Sequence, residues 1–232
     1  MKVRNRSSRT PLGRQRVIAA ALTIADQEGL DAVSMRRLGQ ELGVEAMSLY
    51  KHVASKEDIL EGIVDLAVSE IEAPEPGAPW KPALRARCRS AHQVLLKHRW
   101  ATQLIVSRAN VGPAMLRYVD RTLGCLRGAG FTYAMADHAW NALDNHVYGF
   151  TLQQLNFPFQ PEEYAAAAAQ FLPQLSRAEF PHLYALSEQV IAGEHSGLHD
   201  FELGLTLILD GLERLLRASR RATGKTRRRD PG

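Results

Sequence analysis

In residues 34–53, SMRRLGQELGVEAMSLYKHV, hydrogen-bonding side chains are interleaved with aliphatic ones at helical spacing. The pattern predicts two short helices, one carrying Met35, Leu38 and Leu42 and one over about Glu45–His52, with a tight turn at Gly43 between them. Leu49 and Val53, four residues apart, face the core with Leu38 and Leu42, and Val44 plugs the angle between the helices. Ala46, Met47, Ser48, Tyr50, Lys51 and His52 then point outward. Such a face suits the major groove of double-stranded DNA, where the chemistry is hydrogen bonding to base edges and ion pairing with phosphate. Arg36, at the start of the first helix, is the candidate for a bidentate contact with guanine. Ser34, its N-cap, and Lys56, which opens the next helix, complete the candidate DNA-binding set. The plainer alternative is a helical hairpin with a solvated polar side. Basic flanks and the Tyr-Lys-His cluster argue against it.

No comparable pattern points to catalysis or to a metal. His92 and His98 are six apart, His138 and His146 eight apart, and His195 and His199 four apart. Only the last pair shares a helix face, but Gly197 lies between and no acid follows as in HExxH. These histidines read as surface or hydrogen-bonded core residues. Cys88 and Cys125 lack a CxxC pattern and suit a reducing cytoplasm. The sequence therefore predicts no enzyme, no cofactor and no metal.

The elements that must carry the outward face are helical throughout. With 232 residues, 45% apolar, the chain can bury a sizeable core. Helical spacing runs over Val17–Ala25, Ile59–Ile71, Trp80–Lys97, Trp100–Arg108, Pro113–Arg127, Tyr133–Gln154, Pro161–Phe171, Arg177–Ala192 and His199–Ala218. Thr10-Pro11 is read as the start of the first helix, Gly29 as its end, and the proline-rich stretch 72–79 as a linker. An all-α fold follows, with an arm and helix-turn-helix unit over 1–56, a larger helical unit over 57–218 and a basic, unstructured tail over 219–232. Residues 1–56 carry ten Lys/Arg against five acids and residues 217–232 seven against one, while the middle is net −7. Basic ends on an acidic body suit a polyanion partner at one or both ends, although the C-terminal run reads first as a solvated tail. No apolar run reaches membrane-spanning length and no secretory signal opens the chain, so the expected location is the cytoplasm.

The first ~65 residues resemble the DNA-binding domain of the TetR (tetracycline repressor-like) family of transcriptional regulators. The resemblance is carried by Asp26-Gln-Glu-Gly29-Leu30, Ser34-Met-Arg36-Arg-Leu38-Gly, Leu42-Gly43-Val44, Ser48-Leu49-Tyr50-Lys51-His52-Val53 and Lys56-Glu-Asp-Ile-Leu60. The C-terminal part is similar, more loosely, to the ligand-binding domain of the tetracycline repressor, through Gly130-Phe131, Gly149, Phe201, Gly204-Leu205 and Gly211-Leu212-Glu213. The resemblance implies a homodimer built on the two long helices 133–154 and 199–218, a palindromic operator, and a small-molecule effector that releases it. It also implies what is missing. Where the tetracycline repressor uses a histidine and a glutamate for its magnesium–drug chelate, this chain has Ile105 or Val106, and Gln153. Those side chains cannot replace ligands for a hard cation, so tetracycline is not the expected inducer.

Along helix 133–154, Asp137, Asn141, Asp144 and Tyr148 recur at helical spacing. They line either an internal cavity or a solvated stripe beside a dimer face of Trp140, Leu143, Val147 and Phe150. On the first reading the effector pocket comprises Trp100, Gln103, Met115, Thr122, Trp140, Asn141, Asp144 and Tyr148, mostly apolar with a few orienting groups. It would take a small organic effector, cationic if Asp144 is ionised there. Leu205, Leu209 and Leu212 are expected against the second subunit, and Ala165–Ala169 forms a flap or a plain surface helix. Two rivals remain: a DNA-binding dimer regulated by a protein partner without an effector, and an all-α enzyme.

Overall fold

The computed structural model describes residues 11–159, 163–195 and 200–227, and these are helical apart from their connections. α1 (Arg14–Glu28) buries Val17, Ile18, Ala21, Ile24 and Ala25, and Gly29 ends it at φ +87° with its N–H on the Ala25 carbonyl. The helix starts after Pro11 because extended Gly13 serves as its N-cap; Thr10 lies outside the described residues. α2 (Met35–Leu42) is capped by the Ser34 hydroxyl, which accepts from the Arg37 N–H at 3.2 Å. Gly43, at φ +66°, supplies the left-handed turn that a side chain disfavours. α3 (Ala46–Leu49) is only four residues long, but its turn continues through the His52 and Val53 N–H groups bonded to the Leu49 carbonyl.

α4 (Lys56–Ser69) packs against α1 on one side and α7 (Pro113–Gly128) on the other. α5 (Trp80–Lys97), α6 (Ala101–Ser107), α8 (Tyr133–Asn156) and α11 (Phe201–Arg227) complete the body. α11 runs antiparallel to α5: Glu202 pairs with Arg85 and Arg89, and further along Asp210 and Glu213 pair with Lys81. Since α5 ends against α1, α11 leads away from the α2–α3 unit, and Arg220 bonds the Ala129 carbonyl at the far pole. The helix extends to Arg227, past residue 218, because Arg and Lys are good helix formers and favour a helix C-terminus. Residues 228–232 of the expected tail lie outside the described residues.

The long helices correct one expectation. Leu205, Leu209 and Leu212 are 0%, 0% and 8% exposed within their own chain, as are Leu143 and Val147 at 0%. They close the intramolecular core between α5, α8 and α11. The stripe α11 leaves outward is Leu203, Leu207 and Leu215. α9 (Tyr164–Phe171) and α10 (Pro181–Ile191) pack mainly on each other and leave Phe171, Phe180, Leu183 and Leu186 exposed.

Candidate functional site

The outward face of α2–α3 forms as its residue types require. Leu38, Leu49 and Val53 are buried, which turns Arg36, Met47, Tyr50, Lys51 and Lys56 to solvent, with Ser34 exposed at the cap. Ala46, Ser48 and His52 are half-buried beside them. Helix α2 can lie this close to the turn only because Gly39 has no side chain: a Cβ there would stand 2.8 Å from the Val44 carbonyl oxygen. Between α2 and α3 runs an open groove of about 500 Å3 lined by Arg36, Gln40, Glu45 and Ala46. Gln40 and Glu45 are absent from the residues the sequence singled out. Arg36 and Gln40 are four apart and share a helix face, so the phase of α2 already held that signal. Neighbouring Arg37 is committed elsewhere, to Glu28 at 2.6 Å and Glu41 at 2.9 Å.

Two sets of polar contacts tie α1 and α4, against which this unit stands, to the rest of the body. At the corner between α5 and α6, buried His98 Nδ1 lies 2.8 Å from Asp26 Oδ1, and the Trp100 indole N–H donates to the same oxygen at 2.7 Å. His98 Nε2 lies 3.3 Å from Glu70 Oε1, out of line for a hydrogen bond, while Lys97 pairs with Glu70 at 2.6 Å. On the other side, Asp65 of α4 accepts the Ala114 and Met115 N–H groups at 2.8 and 3.0 Å, so a carboxylate caps α7.

The residues expected to line one pocket separate accordingly. Trp100 faces Asp26 of α1, and Met115 sits at the α4–α7 contact. Gln103 and Asn141 are exposed, and the Asn141 amide bonds back to Asp137. Trp140, Asp144 and Tyr148 do converge, with Thr122 hydroxyl bonded to the Tyr118 carbonyl nearby. Asp144 accepts from Arg87 at 2.6 Å, Trp140 Nε1 at 2.6 Å, Tyr118 OH at 3.2 Å and Tyr148 OH at 3.2 Å. Arg87 is fully buried, its guanidinium 4.2 Å above the Tyr118 ring, and its Nε has no partner. Burial opposes the Arg87 charge, but its surroundings outweigh that and hold it protonated; with both phenols kept neutral by burial, the attraction is that of Asp144. Asp144 is therefore matched by a guanidinium and offers no free carboxylate to a cation. Arg87 is the residue sequence reasoning missed, although Leu84, Cys88, Ala91 and Leu95 mark the buried stripe on which it lies.

Ile105 is buried, and Val106 and Gln153 are exposed. Among the described residues, no three His, Cys, Asp or Glu side chains converge as metal ligands. His92 and His146 instead both stack on Phe201, with ring centroids 4.3 and 4.9 Å away. His199 lies outside the described residues. No described helix is long and apolar enough to cross a membrane.

Comparison with known proteins matches residues 17–63 to the model for bacterial regulatory proteins of the tetR family, and residues 73–216 to the tetracyclin repressor-like C-terminal domain. The chain is 32% identical over 222 residues to the HTH-type transcriptional repressor DrrR1 of Streptomyces coeruleorubidus, covering 91% of this chain and 81% of that protein. It is 27% identical over 205 residues to the class D tetracycline repressor protein of Escherichia coli, covering 85% and 93%. The crystal structure of the TetR family protein ActR of Streptomyces coelicolor in complex with actinorhodin superimposes with a TM-score of 0.76 at 33% identity, covering 88% of this chain and 96% of that one.

Proposed function

The chain belongs to the tetR family of bacterial transcriptional regulators, not enzymes, and on that premise we propose that it binds a palindromic operator as a homodimer and is released by a small organic effector. The observation that carries the reading is the α2–α3 face, where Arg36, Tyr50 and Lys51 stand exposed over a buried Leu38–Leu49–Val53 base. In this reading residues 1–56 are the reading head and 57–218 the effector and dimerisation unit. Arg36 contacts guanine, while Tyr50, Lys51 and Lys56 hold phosphates and position the recognition helix. The second copy covers the exposed leucines of α11 and the outer face of α8, and the apolar side of the α9–α10 hairpin lies against it.

The effector enters between α5, α7 and α8, where Arg87, Tyr118, Trp140, Asp144 and Tyr148 gather polar groups among aromatic walls. ActR, which binds actinorhodin, supports an organic effector for this related fold. The ion pair removes the argument for a cationic one. α7 and the α5–α6 corner are the bodies that grip α4 and α1, so a shift of either on binding changes the tilt of the reading head. With half-sites one turn apart, ~34–36 Å, a few Å at each head prevents simultaneous engagement. The test is a thermal-shift screen of organic acids, phenols and amines, followed by titration of each hit against the protein bound to operator. A hit that raises the melting temperature and dissociates DNA supports the reading. Magnesium–tetracycline should do neither; if it does both, the argument from Gln153 and Ile105/Val106 fails.

A further inference from the structure

Met47 is the second residue of α3, and at 75% exposure it is the barest large apolar side chain among the described residues. No described helix covers it, and an uncovered thioether of that size is unfavourable in water. Around it the outward face is polar, with Glu45 before and Ser48, Tyr50 and Lys51 after. Helices of this kind enter the major groove with their N-terminal residues leading, and α3 is so short that Met47 stands at its leading end. The apolar group that a base edge presents in that groove is the C5-methyl of thymine. We propose that Met47 reads one thymine methyl in each operator half-site, adding an apolar contact to the hydrogen bonds of the surrounding face. The inference rests on the operator-binding reading above. An unbranched thioether has no strong hydrogen bond to offer a wrong base, so the discrimination lies in the methyl contact itself.

The operator is first recovered by selection from a random DNA pool with the full chain. Each thymine is then replaced, symmetrically in both half-sites, by deoxyuridine, which removes the methyl and leaves base pairing intact. At one position the wild-type protein should lose about fourfold in affinity per half-site, about fifteenfold for the doubly substituted site, the worth of one buried methyl each. Met47→Ala, outside the core and folded normally, should bind the thymine and uracil sites equally well. Indifference of the wild type to every replacement would overturn the inference, as would an equal loss in Met47→Ala at the sensitive position. A pool from which no sequence is enriched would instead overturn the operator-binding reading, and this inference with it.

Discussion

Arg36 and Arg37 are adjacent on α2, yet their surroundings differ. Arg37 is held by Glu28 and Glu41, whereas Arg36 opens onto the α2–α3 groove. Arg36→Ala should therefore relax preference at one base pair by about 1–3 kcal/mol. Tyr50→Ala and Lys56→Ala should weaken matched and mismatched sites alike, and titrations on such sites separate the two behaviours. Of the outward set, the exposure of Met47, Tyr50 and Lys51 was legible in the sequence because helical phase assigns it, whereas Ala46, Ser48 and His52 are half-buried. Arg87 was not, since between Arg85 and Arg89 it reads as another solvated charge until α5 is packed. Asp144→Asn should cost ~3–5 kcal/mol by leaving that guanidinium buried beside a neutral amide. Replacing both, Arg87→Met with Asp144→Leu, should restore most of that loss in denaturant melts; equal damage from single and double variants would mean the pair is not the cause.

At the scale of elements, sequence and structure agree where the termination signals are local. α5 spans Trp80–Lys97 as its pattern predicts, because the proline-rich 72–79 stretch stops anything earlier. Ser34 and Ser55 cap α2 and α4 through the N–H groups of Arg37 and Asp58. What spacing cannot supply is which helix covers which face. Leu205 and Leu209 look the same in sequence whether α5 and α8 or a second chain lies over them, and Trp100 looks like a pocket wall until Asp26 arrives from α1. The start of α4 also sets a pH dependence. The Ala54 N–H and then Arg14 hold the Asp58 carboxyl below its usual range. A lowered folded-state pKa contributes stability that is complete above the unfolded value and is lost as pH falls through the folded one. The acid limb of the melting curve should accordingly be shallower in Asp58→Asn than in the wild type, and identical slopes below pH 4 would exclude this carboxylate from acid unfolding.

For the whole molecule, the path of α11 sets which end of the body its described residues reach. Arg220, on its last described turns, bonds the Ala129 carbonyl at the α7–α8 turn, at the end of the body away from α2–α3. Leu207 is 63% exposed on the outward stripe of α11. Leu207→Glu should yield a monomer by light scattering at micromolar concentration, because pairing would bury an unpaired charge. Leu209→Glu should instead unfold the chain, since Leu209 lies in its own core. The most direct test of the central claim is the sequence that the intact protein selects from random double-stranded DNA. Two inverted copies of one short half-site, with centres ~34–36 Å apart, is the predicted result. A single unrepeated site, direct repeats, or no enrichment over the starting pool would contradict it.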